Sequence, residues 1–225
     1  RRDVHGSPHH VDWMWETKSG NGILVNGTGQ KKHSFWSRGA ITAFAASSTV
    51  DVVEGETRDE ASGLERWKRR ILFLKPSVVV LHDVLDASEP STFQWLLHAK
   101  GPFILGENQV AWNGKPGALK VTFLEPPGLV LTQTDRYDTP PGAWTQWILE
   151  DWHMTADAQD TATHREFVTV IAADDADPRP VLERNENGFR LTLALMPGEA
   201  VLTLGADRFE VVTPDFRQAF PQANP

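Results

Sequence analysis

Residues Leu64–Ala99 read LERWKRRILFLKPSVVVLHDVLDASEPSTFQWLLHA, and they decide the fold class. From Leu64 to Leu74 the pattern has period two, with Trp67, Arg69, Ile71 and Phe73 on one face of a strand. Lys75-Pro76-Ser77 makes a turn. Val78 to Leu85 is rich in β-branched residues and predicts a central strand covered on both sides. A turn over Ala87–Ser91 leads to Phe93–His98, which puts Phe93, Trp95 and Leu97 on one face.

The same style continues outward. Upstream, TKSGNGILVNGTGQ (17–30) holds a short apolar centre, Ile23–Val25, between two glycine- and asparagine-rich turns. Segments 33–36, 40–47 and 48–53 read as short strands, and the acidic segment 54–63 reads as a loop or a single helical turn. Downstream, 110–112 and 119–124 flank a hairpin-like loop. Further strands are predicted at 129–134, 167–172, 189–195, 200–204 and 209–212. Residues 135–163 read as a long surface loop and 213–225 as a loose tail. Strands at roughly ten-residue spacing with turn chemistry between them imply an all-β chain: a large antiparallel β-sandwich of consecutive hairpins over 1–212.

Composition narrows the function classes. A net charge of −8 argues against general nucleic-acid affinity. No apolar run approaches the roughly 20 residues of a membrane-spanning helix. Without cysteine there is no disulfide, thiolate metal site or cysteine nucleophile. Phosphate-loop, GxSxG and HExxH motifs are absent. The chain begins Arg-Arg-Asp, and a histidine-rich stretch starts within five residues, which points to a C-terminal piece of a longer protein.

Histidines carry the candidate chemistry. His5, His9 and His10 share one loop with Asp12 nearby, either as a set for a borderline cation such as zinc or as a hydrogen-bonded loop. Asp83 and His98 form a second set if their strands pair, while His82 points to the opposite face from Asp83. Of nine tryptophans, Trp67, Trp95 and Trp112 read as core. Trp13, Trp15, Trp144, Trp147 and Trp152 lie in less regular stretches, where exposed indoles could stack on sugar rings.

In order, HGSPHHVDW, TKSGNGILVNGTGQ, RRILFLKPSVVVLHDVLDA and FQWLLHA resemble the heparinase II/III-like family of polysaccharide lyases. The elements similar to that family are Asn21, Ile23–Gly27 and Gly29-Gln30, then Arg70–Leu74, Lys75-Pro76 through Asp83, and Trp95–His98. The resemblance implies the β-sandwich portion of such an enzyme, with a helical (α/α) toroid elsewhere in the parent protein. It further implies β-elimination on an acidic, uronate polysaccharide, outside the cytoplasm or in a periplasm. Expected catalytic residues are His9, His10 and Asn21, and expected substrate contacts are Trp13, Trp15, Lys18 and Gln30. A divalent metal such as zinc is expected on His5, His10, Asp83 and His98. Where the family has histidine before the asparagine, this chain has Gly20, and Tyr137, the only tyrosine, does not match the family's catalytic tyrosine. The alternative reading is a non-catalytic carbohydrate-binding or scaffolding sandwich.

Overall fold

A computed structural model describes residues 4–35, 37–59, 63–115, 117–142, 151–196 and 198–221. Three antiparallel sheets stack around two apolar cores. The central sheet has the strand order β2 (Gly39–Ala46), β3 (Val50–Asp59), β4 (Leu64–Leu74), β5 (Val78–Ser91), β12 (Ala162–Ala173), β9 (Ala118–Glu125), β8 (Gln109–Asn113) and β7 (Ile104–Leu105). A four-stranded sheet covers one face, in the order β1 (Ile23–Val25), β6 (Phe93–Ala99), β11 (Trp152–Asp157), β10 (Val130–Thr134). A five-stranded meander covers the other, from β13 (Val181–Asn185) through β14 (Gly188–Ala194), β15 (Glu199–Leu204) and β16 (Phe209–Thr213) to β17 (Phe216–Phe220). The chain is thus all-β and antiparallel, as the sequence predicts.

Strand β5 shows why the central sheet reads as a nearly continuous apolar run. Leu81 and Leu85 point into the core under the four-stranded sheet, and Val78 and Val80 point into the core under the meander. Trp95 is buried in the first core, and Trp67 and Trp112 pack against it. Only part of the sheet is built of consecutive hairpins. β2 to β5 follow one another, but β12 inserts between β5 and β9.

Five local expectations change. The turn expected over Ala87–Ser91 is the far end of β5, where Ala87 pairs with Leu64 and Ser91 with Ala162. The acidic stretch from Glu54 continues β3, because Glu54 faces inward and meets a buried arginine rather than water. The supposed loop before residue 163 contains β11 and the start of β12. Residues 33–35 are outside any strand, and Trp36, Trp144 and Trp147 lie outside the described residues. The supposed tail contains β17, which pairs with β16 and buries Phe220 in stacked contact with Phe209, their rings 4.6 Å apart.

A polar clasp joins the central sheet to the meander. Arg70, fully buried, donates from Nε to Glu54 (2.6 Å) and from its two terminal nitrogens to the carbonyls of Gly205 (2.5 Å) and Ala206 (2.9 Å) in the β15–β16 turn. His82 Nδ1 lies 3.0 Å from Arg70 Nη1, and its Nε2 lies 2.6 Å from Glu166. Burial holds His82 below its ordinary pKa. A single neutral tautomer, Nε2–H donating to Glu166 and Nδ1 accepting from Arg70, satisfies both contacts. Glu166 also meets His164, whose Nδ1 lies 2.6 Å from Asp86. Burial alone would raise the Glu166 carboxyl, but hydrogen bonds from His164 and His82 outweigh it and bring it to about 2.

Removing one partner from a buried ion pair leaves the other charge uncompensated. Arg70→Ala is expected to cost about 3–5 kcal/mol of unfolding free energy, measured by urea denaturation. The Glu166 carboxylate, helped by Asp86 and opposed by burial, raises His164 from 6.5 to about 9. A folded-state pKa above the unfolded one gives stability that is complete below 6.5 and lost as pH rises through about 9. The stability difference between wild type and His164→Gln is therefore expected to be largest below pH 6.5, while Glu166 stays ionised, and to shrink as pH rises through about 9. Denaturation curves across that range check it.

Candidate functional site

The stretch 17–30 builds the frame of the site. Asn26 and Gly27 both have positive φ, 52° and 70°, and Val25 and Thr28 exchange backbone hydrogen bonds of 2.9 Å across them. This is the two-residue turn that Asn-Gly favours. The Asn26 side chain ties the turn to Ser91 and to the Thr92 amide. A Cβ at Gly29 would collide with the Thr17 side chain. With glycine there, Thr17 Oγ1 accepts from the Gln30 amide at 2.9 Å. The Gln30 side chain donates to Thr57, which ties the end of this stretch to β3.

At one end of the four-stranded sheet, His98 on β6 and His153 on β11 are direct cross-strand neighbours. Their rings lie 5.2 Å apart. The short helical segment His10–Met14 brings Trp13 flat onto His153, at 4.3 Å and 26°. The chain leaving β10 brings Tyr137 edge-on to His153 (4.9 Å), Trp13 (5.1 Å) and His9 (4.9 Å). His9 Nδ1 lies 2.6 Å from the Thr139 carbonyl. A carbonyl can only accept, so Nδ1 carries the proton and the neutral ring keeps its lone pair on Nε2. Lys18 Nζ lies 5.6 Å from the Trp13 ring and 2.7 Å from Asp138, whose carboxyl it holds below the usual range.

His9 and His10, adjacent in sequence, point into different groups. The His10 ring packs against His5 (4.7 Å) and Trp15 (4.6 Å), and Trp15 meets His33 at 3.8 Å. The Gly6 amide donates to His10 Nδ1. Of the expected catalytic residues, His9 therefore lies in the main cluster, His10 lies in the second, and Asn21 lies beneath His98. Trp13 was expected as an exposed stacking platform. It is buried, with one face covered by His153.

Asn21 belongs to a relay of hydrogen bonds. The fully buried Asp83 accepts from Arg69 Nε (2.6 Å), Arg69 Nη2 (2.9 Å) and Trp67 Nε1 (2.8 Å). Arg69 Nη1 donates to the Asn21 carbonyl (2.5 Å). The Asn21 side-chain oxygen accepts from the His98 amide (3.0 Å) and also faces His98 Nδ1 (3.0 Å). His98 Nε2 faces the Lys18 carbonyl at 3.0 Å. His5, His10, Asp83 and His98 thus do not gather as one metal site: two stand in the second cluster and two in this relay. Among the described residues no three or more His, Asp or Glu side chains converge as metal ligands.

Sequence reasoning missed Tyr137 as a member of the site, and it missed His153. His153 sits in WHMTAD, where Met154 and Ala156 are buried. That alternation was the available signal for a strand, but nothing local pairs His153 with His98.

No family model matches the chain, and neither does any curated protein. Its fold does match solved structures. Against the heparan sulfate lyase HepC from Pedobacter heparinus the TM-score is 0.64 at 12% identity, covering 86% of this chain and 31% of that one. Against a structure of heparinase III it is 0.64 at 11% identity, covering 90% and 32%. The chain spans about a third of the length of these structures and has the fold of that third.

Truncating a buried tryptophan typically costs about 3–5 kcal/mol. Trp13→Ala is expected to lose that much in urea denaturation. A loss under about 1 kcal/mol would mark the ring as a surface platform instead of a wall.

Proposed function

We propose that this chain is the β-sandwich part of a polysaccharide lyase that cleaves uronic-acid polysaccharides by β-elimination. The observation that carries the reading is the group of proton-transferring rings, His9, His98, His153 and Tyr137, gathered beside Lys18 and Asn21. The fold shared with heparan sulfate lyases supports it.

β-Elimination has three requirements. The uronate carboxylate is neutralised, which makes the C5 proton acidic. A base takes that proton. The C4–O4 bond then breaks as the C4=C5 double bond forms, and an acid protonates the departing O4. His9 suits the base, because its Nδ1–H is committed to Thr139 and its Nε2 lone pair remains. His98, whose ring nitrogens each lie 3.0 Å from a carbonyl oxygen, suits charge neutralisation when it carries both protons. Tyr137, between His9 and His153, is the phenol closest to the acid's role. In this reading the rest of the cleft comes from a helical domain of the same parent protein, and the enzyme works in the periplasm or outside the cell.

The full-length parent should generate unsaturated uronate absorbance on heparan sulfate or another uronate polymer, and residues 1–225 alone should generate little or none. In the parent, His9→Ala should lower kcat by about 10²–10⁴ while leaving the thermal midpoint within a few degrees. Undiminished turnover in His9→Ala and His98→Ala together would favour a non-catalytic carbohydrate-binding role.

A further inference from the structure

We propose that Arg69 is the resident cation of this site, a positioning residue whose guanidinium does what a bound divalent metal would otherwise do. It gathers a buried carboxylate, the Asn21 loop and His98 into one arrangement. The inference rests on how the donors and acceptors are used.

Asp83 has a fully buried side chain, so its charge must be compensated nearby. Both its oxygens are occupied, by two Arg69 nitrogens and the Trp67 indole. A metal at Asp83 would have to displace a two-point guanidinium pair, the strong form of this contact. His98 fits a metal no better. A ligating imidazole offers a lone pair, yet both ring nitrogens here face carbonyl oxygens at 3.0 Å.

Arg69 reaches both sides. Its Nε and Nη2 hold Asp83 on the neighbouring strand, and its Nη1 holds the Asn21 carbonyl. The register that sets Arg69 opposite Asp83 fixes the first contact, and the guanidinium lies 5.0 Å from the Trp67 ring. From Asn21 the order passes through the side-chain oxygen to the His98 amide and ring. A lysine carries the same charge but cannot make this fork. The catalytic meaning of His98 rests on the lyase reading; the positioning itself does not.

The experiment records ¹H–¹⁵N NMR spectra of the 225-residue chain, resolving the His98 amide and ring nitrogens without substrate. EDTA and one equivalent of zinc are expected to leave these signals in place. Arg69→Met should shift them, and Arg69→Lys should restore them only in part. Signals unmoved by Arg69→Met, or moved by EDTA, overturn the proposal. If Arg69→Met fails to fold because Asp83 is left unpaired, Arg69→Met with Asp83→Leu removes both charges. The same displacement of His98 is expected there, and an unmoved His98 would again overturn the proposal. Because no turnover is measured, the result stands apart from the lyase reading.

Discussion

Arg69 and Arg70 stand side by side on β4, opposite Asp83 and His82 on β5. Strand geometry sends neighbouring side chains to opposite faces, so these two cross-strand pairs serve different layers. Arg69 and Asp83 face the four-stranded sheet and hold the loop beneath His98. Arg70 and His82 face the meander, where Arg70 clasps the turn at Gly205 and Ala206. A shift of one residue in the β4–β5 register would exchange the faces and leave buried charges without partners. The central sheet is therefore pinned by polar chemistry as well as by apolar packing.

This arrangement explains how ionisable residues occupy the largely buried central strand β5. Each is neutralised or hydrogen-bonded on its own face: Asp83 by a guanidinium, and His82 as a neutral ring between Arg70 and Glu166. The candidate site sits at one end of the four-stranded outer sheet, where His98 on β6 pairs with His153 on β11. Its rings come from four separate segments: the helical segment at 10–14 with its flanking His9, the end of β6, the start of β11 and the chain after β10. Strands supply His98 and His153, a helical turn supplies the buried His9, and the chain after β10 supplies Tyr137.

Much of the fold was legible because its signals are local. The alternation over 64–74, the β-branched run after Lys75-Pro76 and the Asn-Gly turn at 26–27 depend only on neighbours in sequence. Glu54 misled, because acidic residues usually mark solvated loops and the arginine that neutralises this one lies across a strand pair. Phe216–Phe220 misled for a related reason: a short edge strand among polar residues declares itself only when Phe220 meets Phe209.

The sequence by itself determined an all-β antiparallel chain, its central strand and the turn that frames the site, and it singled out His9, Asn21 and His98. Only the tertiary structure decided which of these residues meet. It separated His9 from His10, placed His153 beside His98, put Tyr137 against His9 and gave Asp83 to Arg69 instead of to a metal set. The physical reason is that a strand's side-chain period is local, whereas its partner and register are set by burial across distant segments.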